Sequence, residues 1–171
     1  MPKNLELKAR VASIETARDA ANRTGARFEA TLVQTDTYFK VPYGRLKLRE
    51  ISGRSAELIY YDRTEKADER WSTYTRLPLS DARQLHRVLA NSLGVTAVVR
   101  KTREVFRYQA TRIHLDQVEG LGTFIEFEVQ DSEEAESRNE MEILRVAFGV
   151  VPASIIRTSY ADMLMERANP R

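Results

Sequence analysis

Hydrophobic and polar residues alternate with a period of two along most of this chain. In GTFIEFEVQ (122–130), Ile125, Phe127 and Val129 alternate with Glu126 and Glu128. Successive side chains of a strand point to opposite faces, so one face is apolar and the other carries two carboxylates. The pattern recurs. Asn4, Glu6, Lys8 and Arg10 oppose Leu5, Leu7 and Ala9; Arg45, Lys47 and Arg49 oppose Leu46 and Leu48; Arg112, His114 and Asp116 oppose Ile113 and Leu115. Lys101 and Arg103 share a face, although Arg100 and Glu104 on the other blur the contrast. Strands are predicted over about 3–11, 28–40, 45–52, 55–63, 69–77, 97–108, 111–118 and 122–130, separated by Pro42 with Gly44, by Gly53, by the polar stretch Thr64–Asp68 and by Gly120 with Gly122. Short connections make neighbouring strands antiparallel.

Helical periodicity interrupts the strands. Ser13 reads as an N-cap and Gly25 as the stop of a first helix. Ser80 and Gly94 bracket a second, with Leu85, Val88, Leu89 and Leu93 on its apolar face. A third ends at Gly149 and starts either at Ser137, where Glu140 would complete a capping box, or earlier at Ser132. A short helix from Ser159 closes the chain. The sum is an α+β fold dominated by antiparallel sheet.

Without a Pro/Gly/Ser-rich linker or an internal repeat, the 171 residues are expected to form a single domain, 1–171. Lys plus Arg is 27 against 25 Asp plus Glu, a net +2, which argues against gripping nucleic acid by bulk charge. The absence of cysteine excludes disulfides and thiolate metal sites. No apolar run is long enough for a membrane span, and MPKNLELKAR has no signal-peptide core, so a cytoplasmic location away from membranes is expected. A homodimer is compatible with the sequence.

What composition adds is the sorting of charge by strand: one polar face is acidic, another basic. An ordinary amphipathic sheet would put all these faces in water. A closed eight-stranded antiparallel barrel would instead turn them inward, leaving the apolar faces outside under the helices. Inward cations need water, carboxylates or a polyanion, and inward carboxylates need cations. Mg²⁺ or Mn²⁺ bridging carboxylates and phosphate oxygens satisfies both demands.

At these residues the chain resembles the CYTH group, the triphosphate tunnel metalloenzymes, which include class IV adenylyl cyclases, thiamine triphosphatases and inorganic triphosphatases. Asn4-Leu5-Glu6-Leu7-Lys8 resembles the Glu-x-Glu-x-Lys strand of that group, and RIHLDQVEGLGTFIEFEV (112–129) is the most specific match. QTDTYF, GRLKLRE and SYADML are similar to its class IV cyclase-like branch. The resemblance implies an eight-stranded tunnel, Mg²⁺ or Mn²⁺ as cofactor and a triphosphate-containing small molecule as substrate. It implies Glu6, Glu126 and Glu128 as metal ligands; Asp116, which matches the acidic strands, and Asn4, whose carbonyl stands where the group has a glutamate, are candidate ligands beside them. It implies Lys8, Lys47, Arg49, Lys101 and Arg103 as substrate binders, and Arg112, on the same strand face as His114, is a candidate beside them. Tyr60, Tyr61 and Arg63 stand where a fourth-strand lysine is common, and Arg63 joins the binders. Lys8, Glu126 and Glu128 are the expected catalytic residues, Lys8 serving either as a base or as a permanently charged clamp. His114 is a ligand, a proton carrier or, more commonly for such a residue, a hydrogen-bonding wall group; His86 is a surface residue. Tyr60, Tyr61, Trp71 and Tyr74 are packing residues or a base-stacking surface.

Metal-dependent hydrolysis of inorganic tripolyphosphate or an organic triphosphate is the function these residues favour. The alternatives are an adenylyl cyclase and a non-catalytic binder of polyphosphate or nucleotides.

Overall fold

The computed structural model describes residues 3–63, 70–130 and 133–169, without the side chains of 3, 63 and 70–72. The turn at Thr64–Asp68, the Ser132 cap and the side chains of Arg63 and Trp71 therefore lie outside the described residues. The strands are β1 (Lys3–Arg10), β2 (Arg27–Phe39), β3 (Arg45–Ile51), β4 (Ser55–Arg63), β5 (Arg70–Leu79), β6 (Val95–Tyr108), β7 (Thr111–Val118) and β8 (Gly122–Gln130). The helices are α1 (Ile14–Arg23), α2 (Ala82–Leu93), α3 (Glu134–Ala147) and α4 (Tyr160–Ala168), with a 3₁₀ turn at Pro152–Ser154.

All strand pairs are antiparallel, and the sheet closes as a barrel in the order β1-β5-β4-β3-β2-β6-β7-β8. The meanders β2–β5 and β6–β8 are joined along one side by β2 with β6. On the other side β1 is inserted between β5 and β8. The period-two alternation then has one outcome: polar residues of β1, β3, β7 and β8 face the lumen, and their apolar partners face outward.

That outward face is the main core. Leu5, Leu7, Ile113, Leu115, Ile125, Phe127 and Val129 pack under α1 and α3 with Ala17, Ala21, Met141 and Leu144. Ser13 caps α1 through the Thr16 N–H, as expected. At the far end of α1, Gly25 turns the chain with φ +78°, a left-handed conformation that costs glycine little. α2 is capped by Asp81 rather than Ser80, and its apolar face is only partly covered, with Val88 exposed. His86 on that helix is not fully exposed: it stacks edge-on against Phe39. α3 starts at Glu134, so the expectation of a cap at Ser137 is corrected: Ser137 is buried inside the helix.

A second apolar cluster lies inside the barrel, where Tyr38, Ile59, Tyr61, Val99 and Phe124 meet Tyr160 and Ala161 of α4. Ser159 and Asp162 form a capping box at the start of α4, and Arg45 of β3 holds Asp162 with two bonds of 2.9 and 2.8 Å. α4 thereby seats Tyr160 against the floor of the lumen.

Candidate functional site

The lumen contains a cavity of about 320 Å³. Its wall holds Lys47 and Arg49 from β3, Arg76 from β5, Arg103 from β6 and Arg112 from β7. Glu6, Glu57, Glu126 and Glu128 supply carboxylates, and Gln34, His114, Tyr61 and Tyr74 further polar groups. Leu32, Ile51, Ile59 and Val105 form an apolar part of the same wall.

The carboxylate wall is built by register. Residues directly opposite on paired strands share a face. Glu6 of β1 stands opposite Glu128 of β8, and Lys8 opposite Glu126; His114 and Arg112 of β7 stand opposite the same two glutamates. Like charges directly opposite one another destabilise a sheet, so the Glu6–Glu128 pair is a local violation of sheet chemistry facing the cavity. Glu126 draws in Lys8 Nζ at 3.7 Å, His114 Nδ1 at 3.6 Å and Arg103 Nη2 at 3.8 Å. Glu128 accepts a 2.6 Å hydrogen bond from Asn4 Nδ2 and lies 3.6 Å from Arg112 Nη1. Among the described residues, no three carboxylate or imidazole groups gather closely enough to make a ready-formed cation site.

The cation walls rest on two buried aspartates. Asp36 of β2 accepts from Arg49 Nε and Nη2 and from Lys47 Nζ, each at 2.9 Å. Asp116 of β7 accepts from Arg103 Nε and Nη2 at 2.6 Å, from the Tyr160 hydroxyl at 2.9 Å and from Lys101 Nζ at 3.4 Å. Each aspartate thus fixes one Lys-x-Arg pair on the adjacent strand. Two bonds per guanidinium leave three of its five N–H donors for other partners. Burial pushes the Asp36 carboxyl up, but Arg49 and Lys47 prevail and hold it well below the usual range. Burial likewise opposes ionisation of Asp116 and Glu126; Arg103 leads the groups that keep both low. The His114 imidazole is pushed down by burial and by Arg103.

The expected site residues fall into three places. Glu6, Lys47, Arg49, Arg103, Arg112, Glu126 and Glu128 meet at the cavity wall. Asn4, Lys8, Lys101 and Asp116 are buried just behind it. Arg63 is not described at side-chain level. The Asp116 carboxylate is 0% exposed and engaged by Arg103, Lys101 and Tyr160, so it compensates cations from behind the cavity wall. Asn4 donates to Glu128 and orients that carboxylate. Lys8 Nζ lies 4.0 Å from the centre of the Tyr160 ring and 3.7 Å from Glu126 Oε2. Of the aromatics, Tyr61 and Tyr74 reach the cavity, while Tyr60 is on the outer face, against Gly44. Asp36, Gln34, Glu57, Arg76 and Tyr160 were not among the expected residues. A lone aspartate on the inward face of QTDTYF was the available signal for the first.

Lys101 gives a pH prediction. Burial and Arg103 lower its ammonium from the ordinary 10.5 to about 7, with Asp116 opposing. Between those values the unfolded chain binds a proton that the folded chain lacks, so stability rises with pH across that window. Thermal midpoints should climb between about pH 7 and 9, and Lys101→Met should flatten the climb; an identical profile in that variant would refute the assignment.

A family model described as "CYTH domain" matches residues 2–160. Comparison with curated proteins finds no match. Among solved structures, the PH1012 protein of Pyrococcus horikoshii OT3 is 22% identical at a TM-score of 0.85, over 93% of this chain and 98% of its own. HpAC1 from Hippeastrum, an adenylyl cyclase candidate described as having a dominant triphosphatase activity, is 15% identical at 0.69, over 98% and 96%. The Pct1 RNA triphosphatase of Schizosaccharomyces pombe is 12% identical at 0.53, over 85% and 82%.

Proposed function

The chain belongs to the CYTH family, and from that premise we propose that it hydrolyses a triphosphate-containing small molecule with the help of a divalent cation. One observation carries this reading: Glu6 and Glu128 are opposed on the wall of a cavity that also presents Lys47, Arg49, Arg103 and Arg112. A cation beside the carboxylates and a polyanion beside the basic groups would satisfy both walls.

The donor set fits the cation. Glu6, Glu126 and Glu128 are hard oxygen donors suited to Mg²⁺ or Mn²⁺, and Mg²⁺ commonly takes one or two carboxylates together with substrate phosphates. When bound, the ion would neutralise phosphate charge and lower the pKa of a water ligand. Lys47, Arg49, Arg103 and Arg112 hold the phosphates, with Asp36 and Asp116 fixing the first three in direction. Preorganised donors of this kind stabilise charge that develops during phosphoryl transfer without reorganising at that moment. Lys8 and Lys101 both lie over the Tyr160 ring, at 4.0 and 5.0 Å, and add positive potential from the floor.

The deciding assay offers tripolyphosphate, ATP and thiamine triphosphate with Mg²⁺ and Mn²⁺, and measures released phosphate and cyclic AMP. Phosphate release should dominate with at least one substrate. Cyclic AMP formed faster than phosphate from any of them would favour the cyclase reading, which draws support from Tyr61 and Tyr74 beside the apolar part of the wall. Binding without turnover would favour the non-catalytic reading. Arg49→Ala should raise KM by roughly tenfold or more, as expected for a lost charge-assisted hydrogen bond. Its fold should persist, because Lys47 still compensates Asp36. An unchanged KM would remove Arg49 from the phosphate site.

A further inference from the structure

We propose that His114 is a nitrogen donor to the divalent cation, giving the site a preference for Mn²⁺ over Mg²⁺. The inference rests on the cation-dependent reading above and adds a residue to it. The imidazole is 5% exposed and lies on the cavity wall, yet among the described residues its Nδ1 has no hydrogen-bond partner. Buried polar atoms nearly always have partners, so an unpartnered one beside a cavity points to a ligand that completes it. Glu126 Oε1 lies 3.6 Å from it, too long for a hydrogen bond. That separation is close to the spacing of neighbouring donors in one cation shell, roughly 3 Å for ligands about 2.1 Å from the ion at right angles. Register places the same two residues directly opposite each other on β7 and β8, so the pairing is set by backbone rather than by a flexible loop. Imidazole nitrogen suits transition-series ions better than Mg²⁺, which is why the donor set biases the choice of metal.

The chain has only two histidines, and His86 is on α2 against Phe39. Full-length protein grown with ¹⁵N-histidine and loaded with Mn²⁺, with and without tripolyphosphate, can be examined by pulsed electron paramagnetic resonance. Coupling of ¹⁵N to Mn²⁺ is expected in the wild type and in His86→Gln, and it should vanish in His114→Gln. Calorimetry should show the Mn²⁺/Mg²⁺ affinity ratio falling about tenfold in His114→Gln, the scale of losing one donor. Mn²⁺ binding with no histidine coupling would overturn the His114 assignment and leave the cation reading intact. No Mn²⁺ binding under either condition would overturn both. If His114→Gln fails to fold, coupling in His86→Gln decides the matter alone.

Discussion

Glu128→Gln should lower triphosphate turnover by at least roughly 10²-fold, the scale of losing one preorganised charge-stabilising group, while leaving the fold intact. Glutamine keeps the shape of the side chain, and its carbonyl oxygen can still accept the 2.6 Å bond from Asn4 Nδ2. Only the negative charge is removed. In the resting protein that loss relieves the repulsion between Glu6 and Glu128 across β1 and β8 but also weakens the 3.6 Å pair with Arg112, so thermal stability should change little. Mn²⁺ affinity measured by calorimetry should fall together with turnover. Glu126→Gln should act in the same direction on turnover, but it also weakens the partners of Lys8, Arg103 and His114 and should cost some stability. Turnover of Glu128→Gln within tenfold of the wild type would remove this carboxylate from the catalytic machinery.

Asp116→Asn is expected to be the most destabilising single exchange in the barrel. Asp116 is 0% exposed, and Arg103 and Lys101 depend on it for charge compensation. Breaking a buried ion pair by removing one partner costs about 3–5 kcal/mol, because the remaining charge stays desolvated. For a chain of this size that corresponds to a drop of roughly 10 °C in the thermal midpoint. Asp36→Asn should cost less, since Lys47 and Arg49 sit nearer the open cavity, with side chains 11% and 14% exposed against 4% and 6% for Lys101 and Arg103. A metal role for Asp116 would show itself differently, as a loss of Mn²⁺ affinity larger than the loss of stability explains. A midpoint shift of only two or three degrees would mean that Arg103 and Lys101 find other compensation.

Asp116 also marks the limit of what the sequence offered. Its inward position was legible, since it shares a strand face with Arg112 and His114. Its partners were not. A carboxylate ten residues ahead of Glu126 reads as a fourth acidic ligand, and only the register of β6 with β7 places Arg103 directly opposite it. Asp36 leaves as little local trace: its partners are on β3, and its effect is exerted through Lys47 and Arg49.

The sequence by itself determined the eight strands, the charged faces of β1, β3, β7 and β8, the cap at Ser13 and the helix start near Ser159. These follow from dihedral geometry and from hydrogen bonds a few residues long, so they are written locally as a period of two, a period of 3.6 or a serine before a helix. Only the tertiary structure decided that β1 closes the barrel between β5 and β8, that Asn4 orients Glu128 across 124 residues of chain, and that Tyr160 of α4 joins the floor by bonding Asp116. Those contacts form between segments that carry no local record of each other. They are selected by strand register and barrel closure, where a shift of one residue would turn every charged side chain from the lumen to the outside.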